Sequence, residues 1–202
     1  MERNRIERLS IMQPKCIVIG ASTGGPDALV ELFSSLPPRW RCPILLVQHM
    51  PAEATGALAA RLQKASGHDA FEAIDGIEVE PNRIYVAPGG FHMSVEVIKK
   101  KIVLRLDRSA PRNMVRPSAD FLFETAALAF KRGCVAVVLT GMGRDGCDGA
   151  AAVQRHGGSV LAQSESSCAV YGMPKEVVEN KLAVFVGTPE EIGIKLSGLM
   201  VE

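Results

Sequence analysis

Repeatedly along this chain a short, unbroken apolar run gives way to a loop rich in glycine or proline and then to a segment with helical spacing. CIVIG at 16–20 is followed by residues 26–36, which set Ala28, Leu29, Leu32 and Phe33 on one face. ILLVQ at 44–48 leads past Pro51 into a segment carrying Leu58, Ala59 and Leu62, with Gly67 as its stop and a weaker strand near Phe71. Ser118 is placed to cap a helix that ends at Gly133 and runs into CVAVVLT at 134–140. A helix over 148–155, the strand SVLAQ, a helix after Pro174, the strand AVFVG and a helix from Pro189 continue the pattern. Strands that are continuously apolar, rather than alternating, belong to a parallel sheet buried on both faces. The expected fold is therefore α/β and doubly wound, a three-layer α/β/α arrangement around a mostly parallel sheet. Residues 83–106, RIYVAPGGFHMSVEVIKKKIVLRL, break the rhythm and read as an antiparallel β-hairpin insertion around a triple-lysine turn.

A chain of 202 residues buries one substantial core, and residues 16–202 are expected to form one domain behind a leader or linker remnant at 1–15. A hydrophobic share of 47%, a charged share of 22% and a net charge of +1 describe a soluble protein with no electrostatic case for a nucleic-acid partner. No apolar run approaches the roughly 18 residues that span a bilayer, and the N-terminus carries no signal-peptide pattern, so no membrane insertion and a cytoplasmic location are expected. Cys16, Cys42, Cys134, Cys147 and Cys168 form no C-x-x-C pair and read as reduced thiols, giving neither a disulfide frame nor a metal site.

In an open parallel sheet the loops that leave the strands for the helices share one edge, and ligands sit where the strand order reverses. Those loops carry GASTGGP, QHMP and TGMGRDG. If the first strand lies between the second and CVAVVLT, with neighbours about 4.8 Å apart, Ser22, His49 and Asp145 converge. They supply a nucleophile, a base and a carboxylate to orient the base, the set that acyl transfer requires. GASTG also satisfies G-x-S-x-G, a sharp turn that lifts a serine to a helix N-terminus, where free N–H groups such as that of Thr23 face a developing oxyanion. The order Ser, His, Asp differs from that of the α/β-hydrolases. Asp148 and Asp120 compete for the acid's role, but both fit the first turn of a helix, where a carboxylate complements the dipole. His92, on the hairpin, is placed to face the cleft, whereas His68 and His156 fall at helix ends. The same loop could instead bind a phosphate as a nucleotide-binding domain, but it lacks G-x-G-x-x-G, a Walker lysine and an acid closing the second strand.

Taken together, IGASTGGP, QHMP, IYVAPGGFHM, VRPSADFLF, VLTGMGRDG and AQSESSCAVYGMP resemble the catalytic domain of the chemotaxis protein-glutamate methylesterases, the CheB family. The resemblance implies hydrolysis of γ-glutamyl methyl esters on the cytoplasmic helices of methyl-accepting chemotaxis receptors, releasing methanol, with deamidation of receptor glutamines as a related activity. It implies Ser22, His49 and Asp145 as the triad, Thr23 and Met142 as neighbours of the oxyanion, and no cofactor. Arg112 and Arg116, in RSAPRNMVRPS, are expected at the cleft rim toward the acidic receptor segments. Family members carry an N-terminal receiver domain, which fifteen residues cannot form, so the chain is either a stand-alone esterase or a fragment, with a separate regulatory protein as a further expected partner. A non-enzymatic receptor-binding module is the alternative from another functional class. AQSESS departs locally from the family pattern, with serine before the glutamate.

Overall fold

The structure, a computed structural model, describes residues 12–200. The expected leader at 1–15 therefore falls mostly outside the described residues. Seven strands form one sheet: β1 (Cys16–Ala21), β2 (Ile44–Gln48), β3 (Ala70–Glu72), β4 (Ile84–Val86), β7 (Cys134–Val138), β8 (Ser159–Gln163) and β9 (Phe185–Gly187), in the order β3-β4-β2-β1-β7-β8-β9. All neighbouring strands in it pair in parallel. The chain winds outward from β1 through β2 to the β4 and β3 edge, then returns to β7 on the other side of β1. The reversal thus lies at β1, between β2 and β7.

The unbroken apolar runs conceal a period of two, because successive side chains enter opposite faces of the sheet. Ile17, Ile19, Ile44, Leu46, Val135, Val137 and Leu161 enter one core, under α1 (Gly25–Ser34), α2 (Ala52–Ser66) and α6 (Pro189–Met200). Cys16, Val18, Leu45, Val47, Ala136, Val138 and Val160 enter the other, under α3 (Ala119–Phe130), α4 (Cys147–Arg155) and α5 (Met173–Glu179). Each fully buried Ile, Leu or Val contributes about 1.5–3 kcal/mol, so both faces have strong reason to be covered. Four of the five cysteines are buried among these apolar side chains, and all five are free thiols.

The hairpin is β5 (His92–Ile98) paired antiparallel with β6 (Lys101–Asp107), joined by Lys99 and Lys100, which both adopt positive φ as a two-residue turn of this kind requires. One boundary differs from the sequence reading. Ile84, Tyr85 and Val86 are not part of the hairpin but form β4 inside the parallel sheet. All three are buried, as a strand covered on both faces demands, and Pro88-Gly89-Gly90 separates them from the hairpin. Packed against α3, the hairpin thickens the layer on that face of the sheet.

Two helices of that layer meet closely at Gly149 of α4, where an added Cβ would stand 2.6 Å from Phe123 Cβ and 3.0 Å from Asp120 Cα. Gly149→Ala must push α3 and α4 apart, and a loss of about 1–3 kcal/mol is expected in urea unfolding. An unchanged midpoint would show that the two helices are not held at this spacing.

Candidate active site

Three loops meet at the edge where strand order reverses. The first begins at Ser22, whose N–H donates to Thr140 O at 2.9 Å and whose carbonyl accepts from Gly25 N at 2.8 Å. That closes a tight turn through Gly24, which lies in the left-handed region at φ 79° and leads directly into α1. Ser22 is half-buried and Thr23 is exposed, so the turn presents both at the surface. Gly141, in the third loop, lies against it, and a Cβ there would meet Ser22 Cβ at 2.6 Å. A glycine is required at this approach.

The second loop carries His49, whose N–H donates to Ala21 O at 3.0 Å. Beside it, the buried Gln48 side chain donates from Nε2 to the carbonyls of both Ser22 (2.8 Å) and His49 (3.0 Å). One amide thus ties the two loops together.

The third loop brings Asp145, which is 3% exposed and whose Oδ2 lies 2.8 Å from His49 Nε2. The same carboxylate sits on the N-terminus of α3, accepting from Ala119 N at 2.6 Å, Ser118 Oγ at 2.6 Å, Asp120 N at 3.2 Å and Asn113 Nδ2 at 3.1 Å. Orphan N–H groups at a helix start form a natural anion site, and the macrodipole adds to the attraction. Burial alone would push Asp145 up, but its bonds to His49, Ser118 and Ala119 together outweigh burial and hold it down at about 2. In the neutral form of His49, an ionised Asp145 at Nε2 selects the tautomer that carries its proton there and leaves the lone pair on Nδ1.

The other candidate carboxylates are elsewhere engaged. Asp148 pairs with Arg144 one helical turn away, at 2.9 Å on the surface. Asp120 is buried and reaches the N–H of Gly149 rather than His49. His92 does not face the cleft as expected. It is fully buried, stacked on Phe121, accepts from Ser118 N at Nδ1 (3.2 Å) and donates from Nε2 to Ala110 O (3.1 Å). Its place is behind the α3 cap that binds Asp145. Arg112 forks onto Glu124 at 2.6 and 2.7 Å, and Arg116 donates to the carbonyls of Arg108 and Ser109, so both brace the 108–117 loop. Met142 is 76% exposed beside Gly141. Sequence reasoning missed the roles of Gln48 and Asn113, and saw Ser118 only as a cap. The one available signal was a polar residue, Gln48, closing an otherwise apolar strand. Among the described residues no cluster of potential ligands is suited to a metal ion, and no helix is long and apolar enough to cross a membrane.

Comparison with known proteins decides the family. The model of the CheB methylesterase family matches residues 17–196. The chain belongs to the CheB methylesterase family. It is 42% identical over 200 residues to a Thermotoga maritima protein named protein-glutamate methylesterase/protein-glutamine glutaminase, covering 97% of this chain and 58% of that one. A Myxococcus xanthus protein of the same name, numbered 5, is 46% identical over 167 residues, covering 83% of this chain and 48% of its own length. The chain thus spans about half the length of these relatives. The crystal structure of the Thermotoga maritima CheB methylesterase catalytic domain superposes with a TM-score of 0.90 at 43% identity, covering 93% of this chain and 99% of that one. The three-layer fold with its separate hairpin is that of the CheB catalytic domain.

The low Asp145 value has a consequence for stability. Its folded-state value lies below the ordinary 3.8, so its contribution is complete above about pH 4 and is lost as pH falls toward 2. The span corresponds to about 2 kcal/mol. Asp145→Asn is expected to flatten this part of the acid unfolding profile, and NMR titration of the Asp145 carboxyl should give a midpoint near 2. A midpoint near 4 would mean that the α3 N-terminus does not bind it as an anion.

Proposed function

We propose that this chain is a serine-type protein-glutamate methylesterase. It hydrolyses γ-glutamyl methyl esters on the cytoplasmic helices of chemotaxis receptors and deamidates receptor glutamines by the same route. The observation that carries this reading is the 2.8 Å contact between His49 Nε2 and Asp145 Oδ2, which leaves Nδ1 to serve as the base in the loop after β2, the strand paired with the one that leads into Ser22. In the chymotrypsin-type triad the two ring nitrogens have the opposite assignment, so the roles are recognised here by geometry and not by atom name.

In the first half-reaction Ser22 Oγ attacks the ester carbonyl while His49 Nδ1 accepts its proton. The tetrahedral intermediate collapses with cleavage of the C–OCH3 bond, and the proton on Nδ1 passes to the departing methoxide, giving methanol and a glutamyl-Ser22 ester. Water then attacks that ester, His49 again taking the proton and returning it to Ser22 Oγ, and free glutamate remains on the receptor. Asp145 stays ionised throughout and stabilises the imidazolium formed in each half. The N–H groups of Thr23 and Met142 have no acceptor among the described residues, and the Thr23 group also lies at the start of α1. They are the donors we assign to the oxyanion. For a glutamine substrate the leaving group is ammonia.

The exposed turn at Ser22 and Thr23 suits a side chain presented on a helical surface better than a deep tunnel would. Arg112 and Arg116, by bracing the 108–117 loop, shape the rim that meets the receptor. The reaction requires no cofactor and belongs in the cytoplasm, where the receptor helices lie. Neither a nucleotide site nor a silent regulatory module is favoured, since the relatives are named as methylesterases and glutaminases.

Methanol release from methylated receptor membranes tests the reading. Ser22→Ala and His49→Ala should each abolish it, Asp145→Asn should lower turnover by about 100-fold or more, and Asp148→Asn should stay within about twofold of wild type. Wild-type turnover in Asp145→Asn with a loss in Asp148→Asn would refute the assignment of the acid.

A further inference from the structure

A second carboxylate is buried beside Asp145. Asp120, in the first turn of α3, is fully buried, yet its side chain caps no N–H of its own helix. Its Oδ1 accepts from Gly149 N of α4 at 2.7 Å, and its Oδ2 accepts from Asn113 Nδ2 at 2.8 Å. The same Nδ2 is 3.1 Å from Asp145 Oδ1. The two hydrogens of one amide group are therefore divided between two carboxylates that would otherwise face each other. Asn113 stands at the tip of a turn closed by Arg112 and Val115, with φ 51°, and is itself exposed. Because acceptors flank its nitrogen on both sides, the amide has one orientation: turning it over would set Oδ1 against both carboxylates.

We propose that Asp120 is a positioning residue of the triad, acting through Asn113: when ionised it keeps the Asn113 nitrogen on Asp145, and when protonated it releases that bond. A proton on Asp120 Oδ2 needs an acceptor, and Asn113 Nδ2, the group bonded to that oxygen, is a donor. The amide must then turn over to offer Oδ1, which removes a hydrogen bond from Asp145 and leaves an oxygen near it. Asp145 is then held less firmly against His49.

The surroundings place this event in an accessible pH range. Burial pushes Asp120 up to about 6, the charges of Asp145 and Asp148 adding to it, while the Gly149 N–H and Arg112 draw it down. The groups that face it are Asp145 from the loop before α4, Asp148, Cys147 and Arg144 from α4 and its approach, and Arg112 from the 108–117 loop. Arg112 and Arg144 are already bound by Glu124 and Asp148, so neither closes on Asp120 as a counter-ion. Activity then depends on the ionisation of Asp120 in addition to the availability of the base, and the acid side of the rate profile falls with two protons rather than one.

The kinetic part of the test rests on the esterase reading; the spectroscopic part does not. With a small activated aryl ester as substrate, Asp120→Asn and Asn113→Ala should each lower kcat by about 10- to 100-fold with KM unchanged, as for a slightly misplaced reacting group. Because the two act through each other, the double variant should be no slower than the worse single one. The acid limb should follow two protons in wild type and one in Asp120→Asn, with Asp148→Asn behaving as wild type. In nitrogen-15 NMR of the whole chain, the His49 Nε2–H signal should report the protonation of Asp120 as a step with pH that is present in wild type and absent in Asp120→Asn. Asn113→Ala, on a surface turn, carries the kinetic test if the buried variant fails to fold. A one-proton acid limb in wild type, additive losses in the double variant, or an unchanged NMR titration in Asp120→Asn overturns the proposal. If no ester is cleaved but the Asp120-dependent NMR step is present, the esterase reading fails and the coupling stands.

Discussion

Everything at the sheet edge depends on one buried anion resting on a helix start. Asp145 carries a full charge out of water, a loss that costs several kcal/mol unless the charge is met by well-placed donors. Here it is met by the first N–H groups of α3, the hydroxyl of Ser118, an amide and an imidazole. These partners come from different elements, so their agreement on one position requires the layers to be docked correctly. His92 contributes from behind by taking the Ser118 N–H, which fixes the cap without touching the carboxylate.

The neighbouring pair of acids is asymmetric for a physical reason. Asp145 has a cation-capable ring and several donors on its two oxygens, while Asp120 has an amide nitrogen and one backbone N–H. Burial acts on both in the same direction, so the richer donor set keeps one ionised and the poorer set lets the other rise. Their effects on stability are opposite in sign. Asp145 loses its contribution as pH falls from about 4 to 2, whereas a raised group such as Asp120 favours the folded state increasingly as pH falls from about 6 toward 4.

Much of this was legible in the residues. Continuous apolar runs such as CIVIG and CVAVV imply strands covered on both sides, and the glycine turns after them mark where the chain leaves for a helix. The placement of β1 between β2 and β7 entered the sequence reading only as the condition for the three loops to converge, because apolar runs carry no record of strand order, and the sheet meets that condition. Ile84–Val86 was harder to place, because a three-residue strand beside a true hairpin carries no periodicity that separates the two. His92 was misread because a histidine in a glycine-rich loop resembles a functional one until its two nitrogens are seen to be occupied. Gln48 reaches Ser22 and Asn113 reaches Asp145 through side-chain bonds that span 26 and 32 residues, and no local pattern records such pairings.

The sheet itself passes between the two halves of the site. Ser22 opens α1, which belongs to the core on one face, whereas Asp145 is anchored by α3, which belongs to the core on the other. The machinery is therefore completed only when both hydrophobic layers are seated on the same strands. A loosened state that kept its helices but let either layer drift would retain its circular-dichroism spectrum and lose the alignment of the three side chains. In this molecule chemical competence is a readout of tertiary order across the whole sandwich, not of the loops alone.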